Sequence, residues 1–219
     1  MRHAVSAHER LAQGGLYLLT PPCRAGEEAG WFRIMEQVLG AGIPMLQYRD
    51  KTASPDQRRE HALRLRNLCL GHDTLLIIND DVGLALEVDA HGVHLGRSDC
   101  SIAAARQRSG EHFIIGASCY ADLIRARDCA AQGADYLAFG ALFPSQTKPE
   151  ASPAPPSLLR DARRRFDCPI VAIGGIKLDH APRTITQGAD WLAVSHDVFA
   201  SPDPGVRIRA YAAIFAGLR

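Results

Sequence analysis

Short apolar runs recur eight times along the chain, at intervals of roughly 20 to 30 residues, and a polar or glycine-containing segment follows each run. Most of the runs are continuously apolar rather than alternating, which is typical of strands covered on both faces in a parallel sheet. The runs span residues 16–19, 45–48, 75–78, 92–95, 114–117, 136–139, 170–173 and 191–194. The sequence therefore predicts eight parallel strands.

Segments with helical periodicity lie between these runs. In residues 55–70, Ala62, Leu65 and Cys69 share one face of a helix, and residues 121–132 show the same spacing. Alternation of strands and helices predicts an α/β fold, either a closed (β/α)8 barrel or an open doubly wound sheet. Periodicity alone does not distinguish the two.

Unusual polar residues and glycines follow the predicted strands, and their position favours the barrel. The carboxyl ends of the strands form the active face of such barrels. The residues concerned are Arg49, Asp50, Lys51, Asn79, Asp80, Asp99, Ser118, Ser145, Gln146, Thr147, Lys148, Gly174, Gly175 and Ser195. We predict a single (β/α)8 barrel, the TIM-barrel fold, over residues 1–219, with residues 1–15 as an N-terminal extension or helix.

The charge balance and the cysteines restrict the partners and the compartment. Lys and Arg total 25 against 24 for Asp and Glu, which gives no reason to expect nucleic acid or an anionic membrane as a partner. Six cysteines occur without a CxxC pair, so neither a zinc site nor a disulfide framework is expected. Charged residues near Met1 and the lack of a long apolar stretch argue against secretion and membrane insertion. We expect a cytoplasmic protein, and the sequence leaves homo-oligomer formation open.

Asp80 and Asp99 follow neighbouring predicted strands, so their carboxylates can converge at one edge of the sheet. Two carboxylates, together with water and ligand phosphate oxygens, are a typical Mg²⁺ site. The alternative is that each aspartate caps a helix, Asp80 one that begins near Val82 and Asp99 one that begins near Ser101. Both interpretations stand at this point.

Three cations are expected at the same mouth, namely Arg49, Lys51 and Lys148. Fixed positive charge of this kind can bind a diphosphate, and arginine can do so with two parallel hydrogen bonds. Gly174 and Gly175 directly follow the seventh strand, where barrels commonly bind a phosphate with backbone N–H groups. A tight turn without a ligand is the alternative for the two glycines.

His91 and His94 are three residues apart on a predicted strand, which places them on opposite faces. We therefore predict that His94 is packed or hydrogen-bonded rather than part of a metal-binding pair. Trp31 and Trp191 are expected to pack in the core or between helices and strands rather than to serve as stacking platforms.

Several motifs in register along residues 16–199 resemble those of the thiamine-phosphate synthase family. The QYRDK segment that begins at Gln47 is similar to the family's QLRxK motif. The other matching residues, in the family's order, are Ile78-Asn79-Asp80, Gly92-Val93-His94-Leu95-Gly96 with Asp99, Gly116-Ala117-Ser118-Cys119-Tyr120, Phe143-Pro144-Ser145-Gln146-Thr147-Lys148, Ala172-Ile173-Gly174-Gly175-Ile176 and Gly188-Ala189-Asp190.

The resemblance implies a magnesium-dependent transfer of a pyrimidinylmethyl group from 4-amino-5-hydroxymethyl-2-methylpyrimidine diphosphate to a thiazole phosphate. It implies that Mg²⁺ is held by Asp80 and Asp99 and that Ser118 lies near the reacting centre. The implied ligands of the pyrimidine diphosphate are Gln47, Arg49, Lys51, Asn79 and Lys148. Those of the thiazole phosphate are Ser145, Gln146, Thr147, Gly175 and the backbone of Ser195 and His196. Arg49, Lys51, Ser118 and Lys148 form the implied catalytic set.

Two other functions are weighed against the synthase. The similar thiazole tautomerases carry a catalytic histidine where this chain has Tyr120, and they generally lack the two aspartates and the Thr147-Lys148 pair. A non-catalytic barrel that binds thiamine precursors would not need cations and carboxylates for a leaving group. Both alternatives are thus less consistent with these residues.

Overall fold

The computed structural model describes residues 5–144 and 154–218, and its centre is a closed barrel of eight parallel strands. Each strand pairs with the next, and the first strand pairs with the eighth, which excludes the open sheet. The strands are β1 (Gly15–Leu19), β2 (Met45–Tyr48), β3 (Leu75–Asn79), β4 (Gly92–Leu95), β5 (Ile114–Tyr120), β6 (Tyr136–Phe139), β7 (Ile170–Ile173) and β8 (Trp191–Val194). The predicted fold is confirmed.

Helices surround the barrel and connect successive strands. They are α1 (Ala7–Gln13), α2 (Glu28–Gly40), α3 (Pro55–Gly71), α4 (Val82–Glu87), α5 (Ile102–Ser109), α6 (Leu123–Ala131), α7 (Leu158–Arg163), α8 (Ala181–Thr186), α9 (His196–Phe199) and α10 (Pro204–Gly217), with a 3-10 turn at Leu178–His180. In the part of the chain that the structure describes, no helix is long and apolar enough to cross a membrane.

Two apolar cores explain why the strand sequences are continuously apolar. One core lies between the strands and the helices, and Leu46 and Leu76 belong to it. The other fills the barrel interior, and Tyr17, Ile77 and Tyr136 belong to it. Since successive side chains of a strand point to opposite faces, seven of the eight strands contribute to both apolar cores, and in β4 the residues that alternate with Val93 and Leu95 are Gly92 and His94. Burial on both faces therefore extends along nearly all of the strand residues.

The first helix closes the amino-terminal end of the barrel. Ser6 caps α1, because its hydroxyl accepts a hydrogen bond from the Glu9 N–H while the Glu9 carboxylate accepts one from the Ser6 N–H. Leu11 is buried against the interior core, and its carbonyl accepts a 2.8 Å hydrogen bond from the indole N–H of Trp191. Trp191 is fully buried and packs in the core, as predicted.

Candidate active site

The predicted substrate-binding residues of strands β2, β3 and β5 lie at the carboxyl ends of those strands. Gln47 is buried on β2, and its side chain reaches the barrel interior, where it contacts Tyr17. Asn79 is the last residue of β3 rather than the first residue after it. Ser118 also lies within its strand, β5. The prediction that Asn79 and Ser118 follow their strands was therefore wrong.

β5 is longer than predicted because its register with β6 shifts between Ser118 and Tyr120. A bulge of this kind lets pairing continue while it re-aims the side chains next to it. The exposed Tyr120 lies beyond the bulge, with a φ of 56°. Ser118 is thus held at the inner rim of the barrel.

Asp80 and Asp99 come together, as predicted from their adjacent strands. The two carboxyl groups lie close enough to shift each other's pKa, and the Lys51 ammonium lies 3.0 Å from an Asp80 oxygen. The Asp99 carboxylate also accepts a 2.7 Å hydrogen bond from the Gly96 N–H. A lysine and two carboxyl groups therefore share one edge of the barrel mouth.

Both carboxyl groups have shifted pKa values. Burial raises the pKa of Asp80, but hydrogen bonds from Lys51 and Asp99 outweigh burial and leave it below its ordinary value. Burial and the neighbouring Asp80 charge raise the pKa of Asp99 despite its hydrogen bond from Gly96. The two pKa values are thus shifted in opposite directions, as expected for two neighbouring carboxyl groups of which one also pairs with a lysine.

Neither aspartate caps a helix, so the capping alternative is wrong. Asp81 caps α4 by accepting a 2.9 Å hydrogen bond from the Leu84 N–H. Ser101 caps α5 by accepting one from the Ala104 N–H. The carboxylates of Asp80 and Asp99 are consequently available to a ligand.

The cation-bearing segment after β2 is organised by the buried carboxylate of Asp50. This carboxylate accepts hydrogen bonds from the N–H groups of Cys23, Thr52 and Ala53 and from the Thr52 hydroxyl, at 2.7–3.1 Å. The Arg49 N–H donates to the Thr20 hydroxyl at 3.0 Å, which ties the ends of β1 and β2 together. Arg49 and Lys51 thus flank a well-anchored turn.

We expect Asp50→Asn to lower the free energy of unfolding by about 2 kcal/mol at neutral pH, because an amide has one acceptor oxygen and leaves a buried N–H unpaired. Burial raises the pKa of Asp50, but its hydrogen bonds have the larger, opposite effect, so the pKa lies below the ordinary value. A lowered pKa stabilises the fold above the unfolded-state pKa of about 4 and loses that effect as pH falls.

Urea unfolding of the wild type and Asp50→Asn at several pH values tests this prediction. The difference between the two should be constant near neutral pH and shrink below about pH 4. A difference that grows as pH falls would contradict it.

Gly174 and Gly175 form the turn after β7, both with positive φ, at 100° and 62°. The segment after β6 packs directly on this turn: the Leu142 N–H donates to the Ile173 carbonyl, and the Phe143 N–H donates to the Gly174 carbonyl, both at 3.0 Å. The predicted site residues Ser145, Gln146, Thr147 and Lys148 lie outside the described residues. Pro144, the last described residue before them, lies next to Gly175.

Ser195 and His196 follow β8, which is paired with β7. Ser195 precedes α9, and its side chain makes no capping hydrogen bond. His196 is exposed at the start of that helix. The end of β8 and the Gly174–Gly175 turn therefore lie on neighbouring strands.

A buried hydrogen-bonded chain inside the barrel was not predicted as a whole. The Gln47 amide N–H donates to the Tyr17 hydroxyl (2.6 Å), and the hydroxyls of Tyr17 and Tyr136 are 2.9 Å apart. His94 lies 3.0 Å from the Tyr136 hydroxyl through Nδ1 and 2.8 Å from the Ser118 hydroxyl through Nε2. The prediction of a hydrogen-bonded His94 is confirmed. The other members of this hydrogen-bonded chain had one sequence signal, the tyrosines Tyr17 and Tyr136 within the otherwise apolar strands β1 and β6.

Mg²⁺ requires an octahedral set of oxygen ligands, of which a protein need supply only some. Within residues 5–144 and 154–218, no group of three or more His, Cys, Asp or Glu side chains is arranged to hold a metal ion. Asp80 and Asp99 nevertheless form a pair of neighbouring carboxyl groups, and carboxylate oxygens are the ligands that a hard cation prefers. Mg²⁺ usually takes only one or two carboxylates from a protein and completes its shell with water and phosphate oxygens. The pair fits Mg²⁺ as a partial set of ligands.

Known proteins share both this sequence and this fold. The family model described as thiamine monophosphate synthase matches residues 16–198. A thiamine-phosphate synthase of Azoarcus sp. (strain BH72) is 54% identical over 202 residues, which are 92% of this chain and 97% of that protein. One of Halorhodospira halophila (strain DSM 244 / SL1) is 48% identical over 195 residues, 89% of this chain and 91% of that protein.

Solved structures agree with these relatives. The thiamine phosphate pyrophosphorylase of Pyrococcus furiosus superposes with a TM-score of 0.83 at 31% identity, covering 96% of this chain and 98% of that one. A 3-hexulose-6-phosphate synthase superposes with a TM-score of 0.66 at 17% identity, covering 90% and 99%, and shows the barrel fold alone. With the family model spanning nearly the whole barrel and close relatives at about half identity, the chain belongs to the thiamine monophosphate synthase family.

Proposed function

We propose that this chain condenses 4-amino-5-hydroxymethyl-2-methylpyrimidine diphosphate with thiazole phosphate, giving thiamine phosphate and diphosphate. The observation that carries the proposal is the cluster of Lys51, Asp80 and Asp99 at the barrel mouth, beside Asn79. A cation and two carboxyl groups at one edge suit a metal-bound diphosphate. Family membership supplies the substrate class.

The pyrimidine diphosphate would lie across the ends of β2 to β5. Gln47, Arg49, Lys51, Asn79 and Lys148 would bind it, and Asp80 and Asp99 would hold Mg²⁺. Bound Mg²⁺ would supply positive charge to the diphosphate oxygens. Gln47 is buried and hydrogen-bonded, so it is suited to a fixed contact with the pyrimidine ring.

The chemistry is a dissociative substitution. The bond between the pyrimidinylmethyl carbon and the diphosphate oxygen breaks, and both electrons leave with the diphosphate. Arg49, Lys51 and Lys148 would stabilise the negative charge that grows on the leaving group, and Ser118 would lie beside it. The thiazole nitrogen then attacks the carbon. Preorganised charge of this kind is commonly the largest catalytic contribution.

The thiazole phosphate would bind at the ends of β6 to β8. Gly175 and the backbone of Ser195 and His196 would donate N–H groups to the phosphate, and Ser145, Gln146 and Thr147 would complete the site. The close packing of the segment after β6 on the Gly174–Gly175 turn supports this assignment, because it brings the chain before Ser145 to the same place.

We place this reaction in the cytoplasm. All six cysteines are free thiols, and four of them are buried, as expected in a reducing compartment.

The proposed function is tested with the full chain and both substrates, with product formation followed by chromatography. We expect thiamine phosphate and diphosphate in equal amounts with Mg²⁺, and at least about tenfold less after complete chelation. Isomerisation of a carboxylated thiazole phosphate without the pyrimidine substrate would instead indicate a tautomerase. Binding of both compounds without diphosphate release would indicate a non-catalytic barrel. Either of these results would overturn the proposal.

A further inference from the structure

The interior hydrogen-bonded chain has a definite direction of donation at its first link. The Gln47 amide nitrogen can only donate, so the Tyr17 oxygen accepts from it. Tyr17 is 1% exposed, and among the residues that the structure describes its hydroxyl has one further hydrogen-bonding neighbour, the hydroxyl of Tyr136. The Tyr17 hydrogen therefore goes to Tyr136, because the reverse arrangement would leave it buried and unpaired.

The same direction continues to the rim. Having accepted from Tyr17, Tyr136 donates its own hydrogen to Nδ1 of His94. A neutral imidazole that accepts at one nitrogen carries its hydrogen on the other, so His94 Nε2–H donates to the Ser118 hydroxyl. The hydroxyl hydrogen of Ser118 is then not used within the row of interior hydrogen bonds, and it can point towards the barrel mouth. Burial also raises the pKa of both tyrosines, so their hydroxyls stay protonated.

The surrounding residues hold this chain in place. A Cβ atom on Gly116 would lie 1.9 Å from the Tyr136 ring, so only glycine leaves room for that ring to cross the barrel. The rings of His94 and Tyr136 are stacked, with centroids 5.6 Å apart and an interplanar angle of 16°. The Arg125 guanidinium donates to the Ser118 carbonyl at 2.8 Å and holds its backbone from outside. Both the backbone and the hydroxyl of Ser118 are thus constrained.

We propose that Tyr17, Tyr136 and His94 are positioning residues that keep the Ser118 hydroxyl oriented as a hydrogen-bond donor to the departing diphosphate. The proposal rests on the proposed function, which supplies the diphosphate and places Ser118 beside it. A donor so oriented contributes most where negative charge increases during bond cleavage. Disturbing the chain should therefore lower kcat more than it changes KM for the pyrimidine diphosphate.

Tyr136→Phe removes the donor to His94 Nδ1 and keeps the ring. Without that donor, His94 can carry its hydrogen on Nδ1, and Nε2 then accepts the hydrogen that Ser118 would give to the substrate. We expect kcat to fall about tenfold or more, with KM within about twofold of the wild type. Tyr48→Phe is the matched control, since Tyr48 is equally buried and its hydroxyl lies 3.3 Å from His61 Nδ1 outside the barrel interior. It should keep kcat within about twofold.

The hydrogen on His94 can be observed without any activity measurement. In the wild type labelled with ¹⁵N-histidine, the His94 signals, identified by their loss in His94→Gln, should show a bare Nδ1 and a protonated Nε2. Tyr136→Phe should change these signals, and Tyr48→Phe should not. A protonated Nδ1 in the wild type would overturn the inferred direction even if Tyr136→Phe fails to fold.

The kinetic results separate this inference from the proposed function. A wild type that forms no thiamine phosphate would refute the proposed function. It would also refute the role of Ser118, while the imidazole signals still test the hydrogen-bonded chain. An active wild type with an equally active Tyr136→Phe variant would refute the positioning role alone.

Discussion

Asp99→Asn should lower turnover at least about a hundredfold at saturating substrates, and Asp80→Asn should do the same. Asparagine matches aspartate in shape and can still accept the hydrogen bond that the Gly96 N–H donates to Asp99. The substitution therefore removes a carboxylate from the proposed Mg²⁺ site and little else. Because Mg²⁺ would then be held by a single carboxylate, the apparent Mg²⁺ requirement should rise as well. Initial rates measured over a range of Mg²⁺ concentrations would show both effects.

Asp81→Asn provides the matched control for these two variants. Asp81 follows Asp80 directly, caps α4 and lies 3.0 Å from Arg58, but it takes no part in the Asp80–Asp99 pair. Asparagine caps helices almost as well as aspartate, so turnover should stay within about twofold of the wild type. Near-normal turnover of Asp99→Asn at low Mg²⁺ would show that its carboxylate is not a ligand.

Gly175→Ala should raise KM for thiazole phosphate more than tenfold and lower kcat/KM by about a hundredfold. A Cβ at this glycine would lie 2.3 Å from the Pro144 carbonyl oxygen and 2.7 Å from that of Phe143. Both atoms belong to backbone, so the clash can be relieved only by moving the segment that leads to Ser145. Both parts of the proposed phosphate site would then be displaced, namely the glycine turn and the segment that leads to Ser145. Separate titration of KM for each substrate tests this expectation.

The positive φ of Gly175 would itself strain an alanine, so the control must share that strain. Gly42 has a φ of 86°, and no atom lies within 4 Å of its Cβ position. Gly42→Ala should therefore show the same kind of loss in stability with unchanged KM values. If Gly175→Ala bound thiazole phosphate normally, the turn would not be part of the phosphate site.

The strand positions were predictable because burial on both faces leaves a strong local pattern. Five strands, among them Tyr136–Phe139 and Ile170–Ile173, begin and end at the predicted residues. β5 was the main exception, because Ser118 and Tyr120 end the apolar run while pairing with β6 continues through a bulge. Hydrogen bonding to a neighbouring strand, which a local pattern does not report, sets that boundary.

The role of the two site aspartates shows a similar limit. Asp80 precedes Asp81, and Asp99 is two residues before Ser101, so each had a competitor for the cap that was equally suitable by residue type. The competing residues cap the helices, and the two carboxyl groups meet across adjacent strands instead. Adjacency of the strands was predictable, whereas the identity of the residue that caps each helix depended on side-chain direction.

Local information in the chain was thus enough to predict the barrel and the family, since both depend on residue type and on spacing along the chain. The partners across the barrel interior were decided by folding. Tyr17 and Tyr136 are 119 residues apart, and their hydroxyls meet only because β8 closes against β1 and Gly116 leaves space for a ring. A contact of that kind depends on strand closure and on the volume of a third residue, neither of which is encoded within a single segment.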